Sequence, residues 1–159
     1  MLSRVANSIY WMCRYIERVE NVSRFISVNL NLLLDMPSES DKHWEPLVMI
    51  TGDQEFFEDK YSHYSKDAVI NFLTFDRQYY SSILSCLAAA RENARSIREI
   101  ISSEMWEYLN TFYLEVNNPQ SPIALQQDPH RFFKNIQMNC HLFTGLLDST
   151  MSHGEAWNF

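Results

Sequence analysis

Helix-breaking residues are scarce in this sequence, whose 159 residues include 3 glycines and 5 prolines. Folds built on many tight turns depend on these residues, so their scarcity argues against such folds and favours long helices. Cysteine is scarce as well, and Cys13, Cys86 and Cys140 lie far apart inside helical patterns. This spacing matches neither a disulfide framework nor a Cys-x-x-Cys metal site, so we expect three core thiols.

Basic residues are also few, with 13 lysines and arginines against 20 acidic residues and a net charge of -7. Proteins gain affinity for nucleic acid largely by neutralising phosphates with lysine and arginine, so this balance predicts no nucleic-acid partner. The sequence has no run near the roughly 18 uncharged apolar residues of a membrane span. Its opening, Met1-Leu2-Ser3-Arg4, lacks the pattern of a signal peptide. We therefore expect no membrane association and a cytoplasmic location.

The sequence motifs of common catalytic sites are missing too. It contains no GxGxxG, P-loop, GxSxG or HExxH motif. It also lacks the Glu-x-x-His pair that builds di-metal sites in helix bundles. We therefore predict no catalytic residue, no metal site and no cofactor.

Apolar residues recur at helical spacing over the first part of the chain. Over residues 5–33 they alternate in steps of four and three, which predicts one long helix that Ser3 caps and that Pro37 does not allow to continue. Further apolar residues occupy the opposite face, so we expect this helix to be buried on more than one side. They are Tyr10, Trp11, Val22, Phe25, Val28 and Leu32.

A second long helix is predicted over residues 83–101, starting near Ser81 or Ser82. Shorter helices are predicted over residues 44–51, 53–60, 66–75 and 104–116, a loop over 117–127, and a last helix from Asp128-Pro129 through Leu147. The expected fold is an all-α helix bundle with two or three long helices and short helices inserted between them.

The end of the sequence has the beginning of a further helix. Ser152 and Glu155 have the spacing of a capping box, and the amphipathic run over residues 156–159 stops at once. We therefore expect a chain that is cut short within a longer protein.

Charged and polar side chains are set into the apolar helix patterns. Buried charges need partners, so Glu17 and Glu20 are expected to pair with Arg91, Arg95 and Arg98 of the second long helix. Two interpretations stay open, a structural network that fixes the register of two helices and a polar groove that binds a partner's carboxylate or backbone. The candidate residues are Arg14, Glu17, Arg18, Glu20 and Asn21 on the first helix, and Arg91, Glu92, Asn93 and Arg95 on the second.

Several segments resemble the bacterial alpha-E family, a group of helical proteins named for a Glu-Arg motif. The resemblance places this motif at Glu17-Arg18 and extends over the whole chain. The matching segments are 1–4, 9–11, 14–21, 44–45, 50–52, 89–95, 102–107 and 154–159. In the family a second Trp…Glu-Arg helix follows this part. The resemblance therefore implies that residues 1–159 form a single helical domain, the N-terminal half of a longer two-repeat protein.

The resemblance also implies partners and a function. The family is associated with ATP-grasp amide ligases, transglutaminase-like peptidases and sometimes a proteasome-like peptidase. Our leading hypothesis is a non-catalytic helical partner, or substrate-presenting component, of an amide or peptide ligase system. One alternative is a purely architectural bundle that forms homo-oligomers. Another is an enzyme of amide transfer or hydrolysis that uses Glu17 or Glu20 in a groove rimmed by Arg14, Arg18, Arg91 and Arg95.

Overall fold

The computed structural model describes residues 2–34 and 41–151, so Pro37 and the expected capping box at Ser152 and Glu155 lie outside the described residues. The described part contains helices and no strand, which confirms the all-α class. Its elements are α1 (Leu2–Leu33), a 3-10 helix (Asp41–His43), α2 (Glu45–Thr51), α3 (Gln54–Glu58), α4 (Lys66–Thr74), α5 (Ile83–Ser96), α6 (Ser103–Val116), α7 (Ser121–Gln127) and α8 (Pro129–Met151).

Four of these helices form a bundle, in which α1 packs between α5 and α8 while α6 contacts both α5 and α8. The 32-residue α1 contributes its predicted seam to the core, where Met12, Val19 and Ile26 are fully buried. Ser3 is not the cap of α1, because the helix already includes Leu2. The segment from the 3-10 helix through α4 lies between α1 and α5 in the chain, and α4 contacts both of them.

The second apolar face of α1 is not buried as predicted. Of its six residues, Val22 is buried, whereas Tyr10, Trp11, Phe25, Val28 and Leu32 are exposed. The reason is that α5 and α8 both pack against the seam side, while the segment from the 3-10 helix through α4 covers only the part of the opposite side around Val22.

Serine side chains start three of the predicted helices. The hydroxyl oxygens of Ser65, Ser82 and Ser102 accept hydrogen bonds from the backbone N–H three residues later, which satisfies one free donor of each first turn. Gly52 ends α2 with φ of 75°, a left-handed conformation that suits glycine.

Two segments differ from the prediction. The predicted loop over residues 117–127 contains α7, in which Pro122 occupies the first turn, where its missing N–H costs nothing, and Leu125 is buried. The helix predicted over residues 83–101 ends at Ser96, although Ile97 and Ile101 remain in the core.

The three cysteines are free thiols. Cys86 and Cys140 are buried as predicted, whereas Cys13 is only half-buried. Burial raises the pKa of Cys86 to about 11 and that of Cys140 to about 12. None of the described helices combines the length and the apolar character needed to cross a bilayer.

Candidate functional site

The predicted pairs between α1 and α5 are wrong, because the observed pairs of these carboxylates lie elsewhere. Glu17 accepts a hydrogen bond from Arg14 of the same helix at 2.6 Å. Glu20 accepts one from Arg24 at 2.7 Å, and its carboxylate also lies 3.0 Å from His141 Nε2 of α8. Residues three or four apart on a helix are neighbours, so local partners satisfy these charges first.

Small residues explain why the arginines of α5 do not reach α1. Ala90 and Ala94 are fully buried, and Ser8 of α1 contacts Ser96 of α5 through their hydroxyls at 3.1 Å. These short side chains let the two helices approach closely, which places the charged residues of α5 outside the contact. One of these residues, Arg95, forms a salt bridge with Glu92 of the same helix at 3.4 Å.

The remaining charged and polar residues predicted on α5 also have other partners. Arg91 donates from Nε to Asn110 Oδ1 of α6 at 2.7 Å and lies 4.9 Å from the Tyr113 ring centroid. Asn93 donates to the backbone oxygen of Ala89. The groove that would be rimmed by arginines of both long helices is therefore absent from the described part of the chain.

A cleft of about 300 Å³ lies instead between α1 and the segment over residues 47–81. Two of the nine predicted site residues, Arg18 and Asn21, line it. Its other lining residues are Val22 and Phe25 of α1, Leu47, Ile50 and Thr51 of α2, Asp53, Leu73 of α4, and Tyr79, Tyr80 and Ser81 before α5.

Arg18 is the cationic group of this cleft. It is half-buried, donates from Nη1 to Ser81 Oγ at 3.3 Å, and lies 5.9 Å from the Tyr15 ring centroid. A guanidinium has five N–H donors, so one weak bond leaves most of them available. Arg18 forms no salt bridge within residues 2–34 and 41–151. The other arginines of α1 each pair with a glutamate: Arg4, Arg14 and Arg24.

Asp53 is the anionic group of the cleft, and two phenols hold it. Tyr79 donates to its Oδ2 at 2.7 Å, and Tyr80 lies 3.1 Å from Oδ1 and 3.0 Å from Oδ2. Burial raises the pKa of Tyr79 and of Tyr80, and the bonds to Asp53 raise both further. Both tyrosines therefore stay protonated and act as donors, which makes them poor proton acceptors. The arrangement fits holding a ligand better than transferring a proton.

The core positions both tyrosines. Tyr79 is buried and stacks on Phe72 of α4, with ring centroids 4.0 Å apart. Tyr80 is exposed and meets Phe56 edge to face at 5.9 Å. Sequence reasoning did not assign Asp53 or either tyrosine to the site, because no local pattern relates this segment to α1. The adjacent aromatic pair was the one available signal.

No group of three or more histidine, cysteine, aspartate or glutamate side chains in the described residues is placed to hold a metal ion. Among the described residues, one carboxylate and no histidine or cysteine line the cleft.

The family model of Alpha-E, described as a predicted alpha-helical domain with a conserved ER motif, matches residues 1–159. The chain therefore belongs to the Alpha-E family. Glu17-Arg18 is the only Glu-Arg dipeptide in the sequence, which makes it the candidate for the family's motif. No curated protein and no solved structure matches the chain. Within the motif, Arg18 lines the cleft, whereas Glu17 lies outside it and is paired with Arg14.

Proposed function

We propose that this protein is a non-catalytic helical component of an ATP-grasp-type amide or peptide ligase system in the cytoplasm, and that it holds an anionic part of the substrate in the cleft at Arg18. The observation that carries this proposal is a half-buried guanidinium in a cleft without a carboxylate partner in the described chain. Taking a charge out of water is costly unless it gains a partner, and a bound anion supplies one.

The family's motif supports the same site. Each residue of a conserved Glu-Arg pair is expected to have a role, and in this chain the two residues have different surroundings. Glu17 forms an exposed pair within α1, which contributes little to stability. Arg18 instead lines the cleft beside Ser81. We therefore assign ligand binding to the arginine.

The chemistry of the cleft favours binding over catalysis. Arginine does not act as a proton acceptor near neutral pH, and both tyrosines have raised pKa values. Glu17 and Glu20, the carboxylates of the enzyme alternative, are not among the residues that line the cleft. Turnover by the purified chain that disappears in Glu17→Gln, with the fold retained, would support that alternative instead.

The ligase and the transglutaminase-like peptidase enter as partners through the family resemblance. The test is co-purification with an ATP-grasp amide ligase from the same organism, followed by ligase turnover with and without this chain. We expect association and faster turnover, with the stimulation lost in Arg18→Ala. Arg131→Ala, which removes an exposed arginine of α8, serves as the matched control. The proposal would be refuted if the two proteins did not associate and the chain had no effect on ligase turnover.

A second candidate function is assembly through α1, favoured by the exposed apolar residues on its outer face. Val28 and Leu32 lie one turn apart there, and Tyr10 and Trp11 are exposed on the same side near the start of the helix. Large exposed apolar patches are uncommon on monomers, so this face suits a homo-oligomer. Sedimentation should then show a concentration-dependent mass that Val28→Glu reduces to that of the monomer. A monomer at high concentration in the unmodified chain would exclude this function.

A further inference from the structure

From the walls of the cleft we infer that its ligand is an α-carboxylate next to an apolar side chain, as at the C-terminus of a peptide or in a free amino acid. This inference rests on the cleft being the binding site of the proposed function, and it specifies the ligand's chemistry.

The charged residues of the cleft favour a ligand group with a single negative charge. Arg18 is the only cationic residue among the described residues that line it, and Asp53 is the only anionic one. One guanidinium matches one carboxylate in a two-bond geometry. A phosphate would bring nearly two negative charges toward a site that already contains the Asp53 carboxylate, and like charges repel. A carboxylate is therefore the better match.

The two charged residues of the cleft contact consecutive residues of the chain, Tyr80 and Ser81. Tyr80 contacts Asp53, while Ser81, the next residue, accepts a hydrogen bond from Arg18. The carboxylate of Asp53 has about four acceptor positions, and two phenols do not fill them. It can therefore accept a further hydrogen bond from an N–H group of a ligand whose carboxylate rests on Arg18.

Apolar side chains also line the cleft, beside the polar Asn21, Thr51 and Ser81. Val22 and Leu47 are buried in its wall, while Phe25 and Ile50 are exposed around it. An apolar side chain that covered these groups would remove their exposed surface from water, which stabilises the bound state. The volume of about 300 Å³ is at the small end of ligand pockets, which range over roughly 300–1,000 Å³. It suits one residue rather than an extended peptide.

The experiment uses the purified chain and isothermal titration calorimetry with four probes, which are acetyl-Ala-Ala-Leu with a free carboxylate, the same peptide as a C-terminal amide, free leucine, and inorganic phosphate. We expect the free acid to bind at least tenfold more tightly than its amide. Arg18→Gln should weaken binding of the free-acid peptide by roughly 10- to 100-fold, because it removes charge-assisted hydrogen bonds. Arg131→Gln, an exposed arginine of α8, should leave binding unchanged.

The two sources of the carboxylate are separated by leucine and by Asp53→Asn. If a free amino acid is the ligand, leucine binds more tightly than the peptide. Asp53→Asn then lowers the affinity for leucine by tenfold or more, because the ammonium group of leucine loses its counter-charge. If a peptide terminus is the ligand, the acetylated acid binds more tightly and the same substitution changes its affinity less. Either result supports the inference.

Equal binding of acid and amide by the unmodified chain would overturn the inference, as would tighter binding of phosphate or no binding of any probe. The comparison of acid with amide needs no substitution, so it holds even if Arg18→Gln unfolds the chain. Ligase association is measured separately. A chain that binds the acid without associating with the ligase would keep this inference and lose the ligase partnership, and association without acid binding would do the reverse.

Discussion

Removal of the Asp76 side chain should destabilise the segment that forms one wall of the cleft. This carboxylate is almost fully buried, with 2% of the side chain exposed. It accepts hydrogen bonds from Tyr61 Oη at 2.9 Å, from the backbone N–H of Gln78 at 2.9 Å and from Lys60 Nζ at 3.2 Å. These bonds join the segment between α3 and α4 to the turn over residues 76–78, just before Tyr79.

The magnitude for Asp76→Ala follows from the three donors. Lys60 is about half exposed, so its share is roughly 0–1 kcal/mol. Tyr61 and Gln78 each donate to a buried charge, and such bonds contribute about 1.5–3 kcal/mol each. Because Tyr61 is only half-buried, its hydroxyl can donate to water once Asp76 is removed, so its share is smaller and we expect a net loss of about 2–4 kcal/mol. For a chain of this length the melting temperature should fall by roughly 4–16 °C.

The loss should depend on pH. Burial alone would raise the pKa of Asp76, but the bonds from Tyr61, Gln78 and Lys60 outweigh burial and lower this pKa below its ordinary 3.8. A lowered folded-state pKa contributes stability that is complete above the unfolded value and is lost as pH falls through the folded value. The stability difference between unmodified chain and Asp76→Ala should thus be full at pH 7 and shrink below about pH 4.

Urea denaturation followed by circular dichroism at pH 7 and at pH 3 measures both effects. Asp148→Ala, which removes an exposed aspartate of α8, is the control and should change the free energy of unfolding by less than about 0.5 kcal/mol. A loss below about 0.5 kcal/mol for Asp76→Ala at pH 7, or a difference that stays constant down to pH 3, would refute this reasoning.

Three further predictions concern the core, one helix start and the thiols. Phe57→Ala should lower the free energy of unfolding by about 3–5 kcal/mol, because Phe57 is fully buried. Phe56 is about half exposed, so Phe56→Ala should lower it by less than about 1.5 kcal/mol. Similar losses for the two variants in urea denaturation would contradict this packing. Ser82→Ala should cost about 1–2 kcal/mol in the same assay through the lost cap of α5, and no change would contradict the cap. Cys86 and Cys140 should resist a thiol reagent at pH 8 until the chain unfolds, and prompt labelling would contradict their burial and raised pKa.

The two residues of the Glu-Arg motif have separate surroundings. Neighbours in sequence on a helix point about 100° apart, so a two-residue motif need not serve one purpose. Arg18 faces the cleft, while Glu17 holds Arg14 on the solvent side. In the proposed function, substitution of the arginine therefore affects ligand binding, and substitution of the glutamate affects an exposed pair only.

Local chemistry made most of the helices predictable from the sequence. The caps at Ser65, Ser82 and Ser102 and the stop at Gly52 act within a few residues, so they can be read without knowledge of the fold. The seam of α1 was also predictable, because its apolar spacing states which side of a helix must be buried. The helix α7 was missed, since Pro119 before it and Pro122 in its first turn are typical of a loop.

Tertiary structure alone decided which charged residues meet. The pairing depends on how far α5 is rotated and how closely it approaches α1, and the buried small residues Ala90 and Ala94 allow a close approach. That distance cannot be derived from the pattern of either helix. The cleft has the same origin, since Arg18 comes from a periodic helix while Asp53 and Tyr80 come from a segment without a long repeat. The sequence determined which faces are apolar, and the packing of the helices determined which polar groups those faces bring together.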